Sequence, residues 1–210
     1  MKTAITLLVA LSLIFTSCHK DAPTEDNGCI DRIFVNPNDH TIKSADVPIV
    51  DNLFASNGID HSNYRYTRYK HDTFQIAYAP YTKYDQKNVR VDQFVNGLRV
   101  FGGERIFIFW NDILKDSIRN PIDVSGLDAV PHLTLPRVRK LFSDDINRAY
   151  TFLSNYSGSC FVAEFGYFKK NNDNKAVKAW RVAVKDRGFP TGIYADDNGE
   201  KLVFEIGIID

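Results

Sequence analysis

Neither sign of charge is in excess in this chain: 26 basic residues stand against 26 acidic ones. Taking away residues 1–17, whose one charged side chain is Lys2, leaves 25 against 26. A balanced surface excludes the electrostatic footprint of a nucleic-acid binder and a polybasic membrane patch. Motifs for chemistry are lacking too. There is no H-E-x-x-H, and no two of His19, His40, His61, His71 and His132 stand four apart, so a helical zinc pair is excluded. Ser157-Gly-Ser-Cys160 does not fit the G-x-S-x-G of a nucleophile elbow. Neither glycine-rich phosphate loop, G-x-x-x-x-G-K-[ST] or G-x-G-x-x-G, occurs. Asp196-Asp-Asn-Gly199-Glu200 has the composition of a turn but lacks the alternating ligands and distant bidentate Glu of a calcium loop. Asp144-Asp145 and Asp196-Asp197 are adjacent, so their side chains diverge on a helix or strand and make no acid/base couple. The sequence predicts a non-enzymatic protein, with no catalytic residue, no metal and no cofactor.

Long apolar runs are also lacking, except for Ile5–Phe15 (ITLLVALSLIF), which is too short to span a bilayer. With Lys2 before it and Phe15-Thr-Ser-Cys18 after it, the run has the form of a bacterial lipoprotein signal peptide over residues 1–17. Cys18 is then the lipidated N-terminus, and its acyl chains are the link to a lipid bilayer. An ordinary secretory peptide with an incidental cysteine is the alternative. Residues 18–45 read as a lipidated polar tether and lead. Lys20-Asp21 after the cysteine resembles signals that send lipoproteins to the outer surface, so an outer-membrane, surface-exposed location is expected. Cysteine is otherwise scarce: of three in the chain, only Cys29 and Cys160 remain. In an exported protein they either bridge or stay as two buried thiols.

The aromatic share, 13%, is what favours β structure. The most patterned stretch is Val89–Trp110 (VRVDQFVNGLRVFGGERIFIFW). Asn96-Gly97 between alternating segments predicts a two-residue type I′ hairpin, with Val95 facing Leu98, Gln93 facing Val100 and Val91 facing Gly102. Gly102-Gly103 marks a bend, after which Arg105–Trp110 is apolar on both faces. Helical spacing appears twice, at Asp46–Asn57 and at Thr134 to about Leu153, where Ser143-Asp144-Asp145 allows a restart. Asp112–Val130, with its Pro and Gly, reads as a connector. Strands are expected at Tyr64–Tyr69 and Thr73–Tyr78, and tyrosines at Tyr78–Tyr84 form either a binding loop or sheet-face aromatics. From Phe161 onward the chain reads as a β-meander with Trp180, Val182 and Val184 on one face. The expected class is α+β: two modules, each a helix on a curved antiparallel sheet.

Gln93-x-x-x-Gly97-x-x-Val100-Phe101-Gly102-Gly103-Glu104, preceded by Val89-x-Val91, resembles the signature of the fungalysin/thermolysin propeptide (FTP) module. Lys178-Ala-Trp180-Arg-Val182, with Tyr194-x-Asp196-x-x-Gly199-Glu200-x-Leu202, resembles the last strands of the PepSY-like module that follows it in pro-regions of thermolysin-like metallopeptidases. The resemblance covers roughly Asp46–Phe204. It implies an FTP-like module over 46–115, a connector over 116–133 and a PepSY-like module over 134–210. It also implies a habit of binding or inhibiting a peptidase, although the peptidase motif itself is missing. The expected partners are a peptidase or another envelope protein. The alternative is a surface binding or structural module with no peptidase link.

Overall fold

The computed structural model describes residues 28–75, 83–149, 155–156, 158–170 and 175–207. In chain order it has β1 (Ile30–Ile33), α1 (Val47–Ser56), β2 (Tyr64–Gln75), β3 (Lys83–Val95), β4 (Leu98–Phe101), β5 (Arg105–Trp110), β6 (Ile113–Ile118), α2 (Leu135–Ala149), β7 (Phe161–Lys169), β8 (Ala176–Val184), β9 (Thr191–Ala195) and β10 (Lys201–Glu205). All ten strands belong to one mixed sheet in the order β10-β9-β8-β7-β4-β3-β5-β6, with β1 also on β7 and β2 also on β3.

This overturns the expected α+β class of two helix-plus-antiparallel-sheet modules. The protein is mostly β, with two short helices, and the strands of both halves are joined in a single sheet. The joint is β7, whose edge is long enough for two partners. β1 lies parallel to it from Phe161 to Glu164, and β4 lies parallel to it at Tyr167 and Phe168. A strand so buried must have its backbone groups paired on both edges, and the nearest free strands come from far away in sequence. Parallel pairs carry no hairpin signal, which is why local patterning does not announce them.

The Asn96-Gly97 turn forms with both residues at positive φ (52° and 74°), and Val95 faces Leu98. The ladder stops at Phe94–Arg99, so the expected Gln93–Val100 and Val91–Gly102 pairs do not form. β3 changes partner instead, placing Val91 opposite Arg105 on β5. Gly102, at φ 76°, and Gly103 carry the chain across this exchange. A Cβ on Gly103 would lie 2.9 Å from the Val100 carbonyl oxygen, so the crossing needs glycine there.

Both helices cover the same side of the sheet. Val50, Leu53 and Phe54 of α1 pack on Tyr66, Val89, Val91, Phe107 and Phe109. Pro48 sits in the first turn, and Gly58 takes the left-handed position after the end. Val138, Phe142 and Ile146 of α2 pack on Phe161, Ala163, Phe165, Trp180 and Val182. α2 runs through Ser143–Asp145 without a restart, and residues 150–154 lie outside the described residues. Between the helices, Ile122 and Val124 fill the gap over Val100 and Tyr167. Gln93 pins them: its amide donates to the Ile122 carbonyl and accepts from the Ile122 N–H, both at 2.9 Å. The expected connector contributes β6, an edge strand whose exposed residues give it a weak apolar pattern.

Asp196 is no plain turn residue. Fully buried, it accepts hydrogen bonds from the Trp180 indole (2.9 Å) and the backbone N–H groups of His132 and Leu133, closing the segment before α2 onto the sheet. Cys29 and Cys160 form a disulfide at the head of the β1–β7 pair, with Cα atoms 4.6 Å apart. Among the described residues no helix is long and apolar enough to cross a membrane.

Candidate functional site

Strand side chains alternate, so each core residue above has neighbours pointing to the other face, where neither helix lies. On β7 and β8 these include Val162, Glu164 and Arg181; on β4 they are Arg99 and Phe101. Exposed alternation normally scatters charge over solvent. Here it gathers charge at the joint between the half-sheets.

Asp92 on β3 is 3% exposed in its side chain, yet it lies between two cations: Arg99 Nη2 is 2.8 Å from its Oδ2 and Arg65 Nη1 4.0 Å. The Arg99 guanidinium also approaches the buried Glu164 carboxylate, with Nη1 3.8 Å from Oε2. Arg65 is the cross-strand partner of Asp92, and Arg181 that of Glu164. The result is a line of alternating charge, Arg65–Asp92–Arg99–Glu164–Arg181, over β2, β3, β4, β7 and β8. Burial pushes the Glu164 carboxyl above the usual glutamate range, and the Arg99 and Arg181 charges pull it back only in part. Buried ion pairs are costly to assemble, so this line is a weak source of stability and is better explained by what it faces.

It faces a cleft of about 320 Å³ lined by Asp92, Arg99, Phe101, Gly102, Glu104, Arg181, Thr191, Ile193, Val203 and Glu205. A shallower recess of about 250 Å³ continues past Arg99, Glu164 and Arg181 to Ile33 and Val35 beside β1. Phe101, Ile193 and Val203 give the cleft an apolar floor, with Ala179 packed behind them. Glu104 at the lip pairs with Arg90 and lies 3.9 Å from Arg119. Five of the lining side chains, Asp92, Arg99, Glu104, Arg181 and Glu205, are charged, so the cleft suits a charged ligand laid over a small apolar floor. Among the described residues no group of three or more His, Cys, Asp or Glu side chains could hold a metal.

The expected site residues divide among several places. Val100, Phe101, Gly102 and Glu104 come together at the cleft, while Gly97 lies in a smaller recess next to Arg99 and Glu164. Gln93 and Gly103 lie beneath it as described. Trp180 is on the opposite face, bonded to Asp196, and so belongs to the core. Cys18 lies outside the described residues, as does most of the Tyr78–Tyr84 loop, of which Tyr84 stacks on Phe74 and tilts against Trp110. Sequence reasoning missed Asp92, Arg99, Glu164, Arg181 and Glu205. The available signal was charge in the middle of otherwise apolar strands, as in Phe161-Val-Ala-Glu164-Phe and Trp180-Arg181-Val. No protein-family model matches this chain, and no curated protein matches it either.

Proposed function

We propose that this chain is a non-enzymatic, lipid-anchored protein of the bacterial outer membrane that binds a protein partner on the helix-free face of its sheet. The observation that carries the reading is the charged cleft at the sheet joint, where Arg99 and Arg181 line an apolar-floored hollow. The signal-like residues 1–17 and Cys18 support the anchor. A peptidase is the first partner to test, because Phe101, Gly102 and Glu104 of the pro-region-like block form the lip of that cleft.

Photo-crosslinking side chains placed at Val203, inside the cleft, and at Ile49, exposed on α1, report on the partner in producing cells. An adduct from Val203 and none from Ile49 is expected, and its mass spectrum sorts a peptidase from another envelope protein. Adducts from neither position, or from Ile49 alone, sink the reading. Palmitate labelling that persists in Cys18→Ala refutes the anchor.

A further inference from the structure

We propose that the cleft receives a zwitterionic, peptide-type ligand, its carboxylate on Arg181 and its ammonium group at Glu205. This rests on the binding reading above: the partner presents the carboxylate and the ammonium group, and a free dipeptide is their smallest stand-in. The charges of the cleft are unequal in how far they are already used. Arg99 is held between Asp92 and Glu164, and Glu104 is engaged by Arg90. The Arg181 side chain makes no hydrogen bond or close ion pair with any described residue, and Glu164 lies opposite it on β7. It lines both the cleft and the recess beside it, so its guanidinium stands where the two hollows meet. The Glu205 side chain, at the end of β10, is exposed and likewise makes no hydrogen bond or ion pair with any described residue.

Register fixes the distance between these two. Arg181 is opposite Ile193, Ile193 is opposite Val203, and Glu205 is opposite Thr191. Arg181 and Glu205 are thus two strand spacings apart and offset by two residues, ~12 Å between backbones. With both side chains leaning inward over the floor, a dipeptide, ~7 Å from end to end, bridges what they leave between them. Its apolar middle would lie over Ile193 and Val203, the floor between the two charges. A guanidinium fork matches a carboxylate in two parallel hydrogen bonds. A doubly charged phosphate is disfavoured, because Asp92, Glu104, Glu164 and Glu205 surround the same space and repel it. A ligand with one charge of each sign meets both free groups without adding net charge.

The test uses the mature chain and the dipeptide Ala-Ala, with its C-terminal amide, its N-acetyl derivative and inorganic phosphate as comparisons. Backbone amide shifts of Arg181, Thr191 and Val203 are followed by NMR. Ala-Ala is expected to move them saturably, and each blocked form to bind at least about tenfold more weakly. Arg181→Met, at a half-buried position, and Glu205→Gln, at an exposed one, both checked by thermal melting, should each weaken Ala-Ala by a similar factor. Phosphate binding tighter than Ala-Ala, equal binding of either blocked form, or unchanged binding in either variant overturns the assignment. No shift at about 10 mM Ala-Ala overturns it too. If that happens while Val203 still crosslinks a partner, only the ligand chemistry is wrong; if the crosslink is also missing, the binding face is wrong.

Discussion

Removing the Cys29–Cys160 bridge should destabilise the protein by about 3–5 kcal/mol. The bridge closes a loop with a sequence separation of 131. Loop-closure entropy for a ring of that size corresponds to about 5 kcal/mol at room temperature, an upper figure because denatured chains are already compact. The bridge also stands at a junction other bonds maintain: the Phe161 N–H donates to the Cys29 carbonyl, and Arg139 Nη1 donates to the carbonyls of Cys29 and Ser159. The native pairing of β1 with β7 therefore survives in the Cys29→Ala/Cys160→Ala variant, and the loss falls on the unfolded state. Urea unfolding of the oxidised chain and the double variant measures this. The variant should show a lower midpoint and a larger m-value, since its unfolded chain is free to expand. Reductant added to the natural chain should reproduce the variant. An unchanged m-value with a loss under about 1 kcal/mol refutes the loop argument. So does selective loss of amide protection in β1 while the global midpoint stays in place, because the bridge would then hold only a local flap.

Other outcomes follow from single contacts. Gly166→Ala would set a Cβ 2.3 Å from the Arg99 carbonyl oxygen and near the Phe101 ring, parting β4 from β7. A loss of about 2–4 kcal/mol is expected in chemical unfolding, whereas Gly188→Ala, with nothing within 4 Å, should be neutral. Gln93→Leu leaves the Ile122 N–H and carbonyl without their buried partner and should cost about 2–4 kcal/mol, visible also as protease sensitivity near Ile122. Burial holds the His40 imidazole below its ordinary 6.5, and its Nδ1 accepts from the Tyr66 N–H at 3.1 Å. A depressed value means stability is present above 6.5 and drains as pH falls below it, so His40→Gln should flatten the melting profile on that side. Glu164 has the opposite sign: its raised value gives stability that is complete below the ordinary 4.5 and lost as pH rises above it. Glu164→Gln should therefore gain on the natural chain between acid and neutral pH, and a constant difference across that range contradicts the burial account.

Local structure was legible in the sequence wherever chain neighbours decide it. Asn96-Gly97 supplies both positive φ values of its turn, the Val50–Phe54 stripe places α1, and alternation at Trp180, Val182 and Val184 sets the inner face of β8. Assembly was not legible. The parallel pairs β1–β7 and β4–β7 join residues with no turn between them, and they turn two expected sheets into one. The same applies to polar side chains. Asp196 reads as a turn residue until His132 and Leu133 arrive from a distant segment to donate to it. Arg181 between Trp180 and Val182 reads as an ordinary solvent-facing position; β7 sets Glu164 opposite it, and only the approach of β4 brings Arg99 to that carboxylate.

The cleft lies where it does because the sheet is thinnest there. β4 is the sole link in the β7–β4–β3 path, and it holds each neighbour by two residue pairs: Phe94–Arg99 and Val95–Leu98 on one side, Val100–Tyr167 and Phe101–Phe168 on the other. β3 is meanwhile leaving β4 for β5 across Gly102-Gly103, and strand twist accumulates across a joint with so few bonds. A joint of this kind opens a hollow on the side without helices. Charges there bridge the halves, and Arg65–Asp92–Arg99–Glu164 does so from β2 to β7. Every cation on that line but one is taken up in the bridging. Arg181 is the remainder, at the end of the line and at the mouth of the cleft, which makes it the side chain whose replacement separates binding from folding.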